Sequence, residues 1–145
     1  MKSSLITPQL PSAIHSLAVT IRNEIEAGKE RAYLAMEQEK RLTYWNVGKH
    51  IKEHLLDNPD KVGYDKQLIP QLSNELDISM SVLYDCVQFY EQYPKILPAR
   101  GNLSWSHIRI LLHVPDKQAR QAFEQKVIAE NLSSKELQKL VKNDK

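Results

Sequence analysis

Residues 72–89 constrain the fold more than any other stretch of this chain, because they predict two short helices joined by a tight turn. Leucines recur at four-residue spacing in the first helix, and apolar residues recur at three- and four-residue spacing in the second. This is the layout of a helix-turn-helix at about residues 64–93. The two apolar faces consist of Leu68, Leu72 and Leu76, and of Leu83, Cys86, Val87 and Tyr90.

The turn between these helices consists of Asp77, Ile78 and Ser79. Asp tolerates the left-handed backbone of a sharp turn, and Ser is a favoured N-cap. We expect Ile78 to be a buried plug between the helices and Leu83 to lie on the inner face of the second helix. The residues expected to face outward are Met80, Ser81, Tyr84, Asp85 and Gln88.

Composition favours a single all-α domain. A chain of 145 residues is long enough to bury one core, and only four glycines and short β-branched runs favour helices over sheet. The charge balance of 20 basic and 18 acidic residues does not by itself indicate nucleic-acid binding. Residues 61–100 hold four basic and five acidic side chains, so the predicted helix-turn-helix is the least basic region.

Cysteine usage and hydropathy indicate a cytoplasmic protein that does not enter a membrane. Cys86 is the one cysteine, which excludes an intrachain disulfide, and no secretory signal is present. We expect Cys86 to be a small buried apolar residue rather than a reactive thiol. No apolar run approaches the roughly 20 residues that a membrane span needs.

The region before the predicted helix-turn-helix reads as an arm followed by two helices. Residues 1–11 predict a flexible arm, and the domain is expected to cover residues 12–142, with residues 143–145 as a tail. The first helix begins near Ser12, and Gly28 ends or weakens it. The second helix runs over about residues 30–56, and Gly48 within its apolar stripe indicates the close approach of another helix.

The remaining segments are predicted as one extended stretch and three short helices. Residues 95–102 form either a loop or a small wing. Ser104 caps a helix with Trp105 as a core anchor, and Pro115 is expected in the first turn of the next helix. Ser133 and Glu136 match a capping box. Pro70 lies inside the first helix of the predicted helix-turn-helix, so that helix is either kinked or starts later.

Five separated motifs, in this order, resemble the YhcG N-terminal domain family of bacteria. They are YWNVGKHI at 44–51, YDKQLIPQLS at 64–73, LYDCVQF at 83–89, LSWSH at 103–107 and the stretch at 127–140. The resemblance implies a winged helix-turn-helix domain that precedes a PD-(D/E)XK-type nuclease domain in longer relatives. No Asp…Glu-x-Lys core follows residue 142, so we expect no catalytic residue and no enzyme activity in this chain.

Two patterns that carry catalytic chemistry in other proteins are interpreted here as structural. His50 and His54 fall in an H-x-x-E-H motif, but no third ligand is evident and the neighbouring lysines repel a cation, so we expect a solvated helix face and no metal. His107 has no evident catalytic partner. No glycine-rich phosphate loop is present, and no cofactor is expected.

Two functions are expected, the first from the helix-turn-helix pattern together with the family resemblance and the second from the apolar stripes of residues 12–56. The first is a non-catalytic module that binds double-stranded DNA and delivers a nuclease. Its base-reading residues are Ser81, Tyr84 and Gln88, and its phosphate contacts are Lys66, Lys95, Arg100 and Arg109. The alternative is a protein-interaction module without nucleic-acid binding, in which residues 12–56 form a homodimer or dock a partner domain.

Overall fold

The computed structural model describes residues 9–59, 63–93 and 103–143, in which helices joined by short turns are the regular secondary structure. No strand occurs in the described ranges, so the predicted all-α class is confirmed. The predicted wing at 95–102, with Lys95 and Arg100, lies outside the described residues, as do residues 1–8 of the predicted arm. The helices are α1 (Gln9–Leu56), α2 (Tyr64–Leu76), α3 (Met80–Gln92), α4 (Trp105–Leu111), α5 (Lys117–Glu130) and α6 (Ser134–Asn143).

Helix α1 is one continuous helix of 48 residues, so the predicted break at Gly28 is wrong. Glycine in a helix interior costs only about 1 kcal/mol, and the alanine, lysine, glutamate and arginine around it are strong helix formers. The helix also begins three residues before Ser12. Pro11 therefore lies in the first turn, where the missing backbone N–H leaves no hydrogen bond unmade.

The chain divides into two compact units, residues 1–36 and residues 37–145. The described part of the first unit is the N-terminal portion of α1, whose exposed aliphatic side chains are Ile14, Leu17, Val19, Ile21 and Ile25. The second unit contains the buried hydrophobic residues and all of α2–α6.

The main core of the second unit lies around α3 and α4. Trp105 is buried there and stacks on Tyr44 with 4.5 Å between ring centroids, which confirms its predicted role as a core anchor. Cys86 is fully buried, as predicted. The other buried members are Phe89, Tyr93, Leu103, Ile108, Leu111, Leu112, Val127 and Leu137.

A smaller core cluster joins α1 to α2 and α3. It contains Ile51, Leu68, Ile69 and Leu83, and Leu83 is only 1% exposed, as predicted. Gly48 lies one turn before Ile51 and faces the backbone of α3 at Cys86, so the predicted close helix approach is confirmed.

The turns use the residues that their backbone conformations demand. Asp77 adopts a left-handed φ of 56°, its N–H bonds to the Ser73 carbonyl, and the Ser79 hydroxyl accepts from the Val82 N–H at 3.2 Å. Ser133 and Glu136 form the predicted capping box.

Pro115 precedes the N-cap Asp116, so its predicted place in the first turn of α5 is wrong. Helix α2 starts at Tyr64 and contains Pro70 in its interior.

Candidate nucleic-acid interface

The candidate interface is the corner made by α2, the turn and α3. Three residues separate the two helices, and the left-handed Asp77 with the Ser79 cap ends one helix and starts the next within that short span. The turn residue Ile78 is 37% exposed, so the prediction of a buried plug is wrong. Leu83, Leu68 and Ile69 close the space between the helices instead.

Three of the first five residues of α3 are exposed. Met80 is 45% exposed and Tyr84 is 47% exposed, and these two side chains are neighbours because they are four residues apart on one helix. Ser81 is also exposed, whereas Gln88 is half-buried. This face therefore presents a thioether, a hydroxyl and a phenol, and no basic side chain of its own.

Asp85 is buried, with 3% of its surface exposed, so its predicted outward orientation is wrong. The reason is a partner that lies 24 residues away in sequence. The Nε of Arg109 donates to Asp85 Oδ2 at 2.7 Å, and His113 Nε2 lies 3.3 Å from Asp85 Oδ1. The carboxylate thus ties α3 to α4 and to the turn that follows it.

Arg109 also reaches the exposed face of α3. Its Nη2 donates to the Ser81 hydroxyl at 3.0 Å, while its side chain remains 36% exposed. The guanidinium pairs with the buried Asp85 carboxylate, so this negative charge is not exposed where it would repel a phosphate. It also places a cation from α4 beside the first turn of α3, where the helix itself supplies none.

The other charged residues of the corner include two exposed carboxylates, those of Glu75 in α2 and Asp77 in the turn. Lys66 is exposed in the first turn of α2. Glu91, at the other end of α3, forms an ion pair with Lys52 of α1 at 2.7 Å. An open cleft of about 420 Å³ lies beside Asp85, and its other lining residues are Ser106, Arg109, Ile110, His113, Gln138 and Val141.

His54 and His107, from the two patterns interpreted as structural, each contact another part of the chain. His54 Nε2 lies 2.6 Å from the Tyr64 hydroxyl, and no group of three metal-binding side chains occurs in the part of the chain that the structure describes. His107 is buried, and its Nδ1 accepts from the backbone N–H of Ser104 at 3.0 Å. Its Nε2 therefore carries the proton and donates to the Leu132 carbonyl at 2.7 Å. The imidazole joins the start of α4 to the segment between α5 and α6.

Residues 20–145 match the family model of the DUF1016 N-terminal domain. The chain belongs to this family. It is the YhcG N-terminal family that the five sequence motifs indicated, so that prediction is confirmed. No curated protein and no solved structure matches the chain. Within the described ranges, every helix is too short or too polar to cross a membrane.

Proposed function

We propose that this member of the DUF1016 N-terminal domain family is a non-catalytic DNA-binding module. In this proposal the α2–α3 corner is a helix-turn-helix, and α3 enters the major groove of double-stranded DNA. The observation that supports it most is the position of Arg109, whose guanidinium is held beside Ser81 at the start of α3. A cation at that place is suited to a phosphate at the edge of the groove.

The roles of the interface residues follow from their chemistry. Ser81 and Tyr84 are exposed and carry hydroxyl groups that bond to base edges or phosphates, and Gln88 suits the paired donor and acceptor of adenine. Lys66 and Arg109 bind phosphates, as do Lys95 and Arg100 in the proposed wing. The resemblance implies that the module delivers a nuclease domain to DNA in longer relatives.

The proposal is tested by titrating labelled duplex DNA with the protein at several salt concentrations. With four phosphate contacts, log K should fall with log salt at a slope of about −3 to −4. Lys66→Ala should weaken binding across sequences and reduce that slope by about 1. Lys126→Ala, on exposed Lys126 of α5, removes the same charge away from the corner and should leave the slope unchanged. No binding at low salt refutes the proposal.

Two further variants separate reading by α3 from general charge attraction. Tyr84→Ala should weaken binding without unfolding the domain, while Tyr33→Ala on α1 is the matched control, since both tyrosines are 47% exposed. Arg109→Gln alone would leave Asp85 buried without its main partner, so we use Asp85→Asn/Arg109→Gln, which removes both charges. If the double variant and Tyr84→Ala both bind as the wild type does, α3 is not the reading helix.

A further inference from the structure

The N-terminal portion of α1 exposes a stripe of large aliphatic side chains. Ile14 is 62% exposed, Leu17 59%, Ile21 49% and Ile25 52%. Their spacing of three and four residues places them on one face of the helix. Soluble proteins rarely expose a contiguous apolar patch of this kind unless another surface covers it.

Three of these four exposed aliphatic residues belong to a heptad repeat that continues along α1 as far as Ala35. From Ile14 to Ala35, apolar or small residues alternate at spacings of four and three, which is the pattern of the inner positions of a coiled coil. The opposite face of the same helix is polar and includes Ser16, Asn23 and Glu30. The inner positions are Ile14, Ala18, Ile21, Ile25, Gly28, Ala32 and Ala35.

The charges that flank this stripe favour a second copy of the same helix in parallel orientation. In a parallel pair, Glu24 lies opposite Lys29 of the other copy, on both sides of the seam. In an antiparallel pair, Glu24 would lie opposite Arg31, but Arg22 would lie opposite Lys29, and the repulsion of these two cations would offset that attraction. The small residues Gly28, Ala32 and Ala35 fit two helices at close approach, whereas three helices would leave a central space that they cannot fill.

We propose that residues 14–35 of α1 form a two-stranded parallel coiled coil with the same residues of a second copy of this chain. This narrows the homodimer that the sequence predicted through residues 12–56. Three heptads are close to the minimum for such a structure, and four of the seven inner positions are small. The dimer is therefore weak and dissociates on dilution.

Sedimentation equilibrium of the whole chain tests the dimer. The wild type should pass from monomer to dimer as its concentration rises. Ile21→Asp and Ile25→Asp should each raise the dissociation constant about 100-fold or more. Val19→Asp is the matched control, because Val19 is also exposed, at 37%, but lies outside the heptad positions. A monomer at all concentrations, a larger oligomer, or equal disruption by Val19→Asp overturns the proposal.

Two measurements test the parallel orientation. Glu24→Lys should weaken the dimer, and adding Lys29→Glu should restore it, since the reversed pair again has opposite charges. Adding Arg31→Glu in place of Lys29→Glu should not restore a parallel dimer but would restore an antiparallel one, in which residue 24 faces Arg31. Ile14→Cys should also form an intermolecular disulfide on oxidation, whereas Val19→Cys should not. Failure of either the charge restoration or the selective disulfide overturns the parallel arrangement.

The native Cys86 does not interfere with this disulfide test. Cys86 is fully buried, and burial, together with the nearby Asp85 carboxylate, raises the pKa of its thiol to about 12. The thiolate that attacks a disulfide is therefore absent at neutral pH. Because mass and crosslinking are measured without DNA, failure of the dimer and failure of DNA binding are separate outcomes.

Discussion

For the substitution Gly48→Ala, helix propensity predicts a gain in the stability of the protein, whereas packing predicts a loss. Gly48 lies in the middle of α1, where alanine would stabilise an isolated helix by roughly 0.5–1 kcal/mol. In the folded protein, however, a Cβ at this position would overlap the carbonyl oxygen of Cys86. It would also lie 2.6 Å from the Cys86 carbonyl carbon and 3.1 Å from the Cβ of Tyr90.

The packing penalty should exceed the gain in helix propensity. Two of these three contacts are with the backbone of α3, which no rotamer change can move, so α1 and α3 must separate. Overpacking of this kind costs about 1–3 kcal/mol and occasionally more. Separation would also loosen Ile51 and Leu83 in the smaller core cluster. We therefore expect Gly48→Ala to lower the free energy of unfolding by at least about 1 kcal/mol.

The other two described glycines serve as controls for the same substitution. Gly28, in the same helix, has only Arg31 Nη2 near its missing Cβ, at 3.6 Å, so Gly28→Ala should be neutral or slightly stabilising. Gly63 has a φ of 75°, so Gly63→Ala should cost about 1 kcal/mol through backbone strain despite open space around it. Urea denaturation followed by circular dichroism measures all three. If Gly48→Ala stabilises the protein as much as Gly28→Ala, the close approach of α1 and α3 is refuted.

Three further predictions concern stability and chemistry. Leu83→Ala removes three carbons from a fully buried site and should lower the free energy of unfolding by about 3–4 kcal/mol. Ile78→Ala, at a 37% exposed site, should lower it by less than about 1.5 kcal/mol. Equal losses for the two variants in urea denaturation would contradict the observed turn. Cys86 should resist iodoacetamide in the native protein and react after unfolding, as followed by mass spectrometry; fast native labelling would contradict its burial. Hydrogen bonds from Ser133 lower the pKa of Glu136, so this capping contribution is present above the ordinary pKa of 4.5 and lost as pH falls through the lower folded value. An NMR titration of the folded protein that finds the Glu136 pKa at its ordinary value would contradict this.

Helix positions were largely predictable because apolar periodicity and capping residues act locally. The α3 cap at Ser79 and the capping box at Ser133 each depend on residues within one turn, and the spacing of the apolar residues in α3 marked Leu83 as inward-facing. The continuity of α1 was not predicted, because a single Gly28 carries too small a penalty to stop a long helix.

The electrostatics of the candidate interface were not predictable from local pattern. Asp85 lies on the predicted outer face of α3 and is buried only because Arg109, from α4, reaches it. Pairing across 24 residues leaves no periodic signal in one sequence. Ile78 was assigned as a plug from its place in the turn, but the tertiary contacts of Leu68, Ile69 and Leu83 fill that space.

Chemical-shift mapping by NMR tests the central claim, that α3 reads duplex DNA, most directly. Unlabelled duplex DNA is added to isotope-labelled protein at low salt, and the shifts of backbone amides and arginine side chains are followed. If α3 reads the DNA, the largest changes should cluster at Ser81, Tyr84 and Gln88 on α3 and at the Nε–H of Arg109. Absence of shifts at saturating DNA, or shifts confined to α5 and α6, would contradict it.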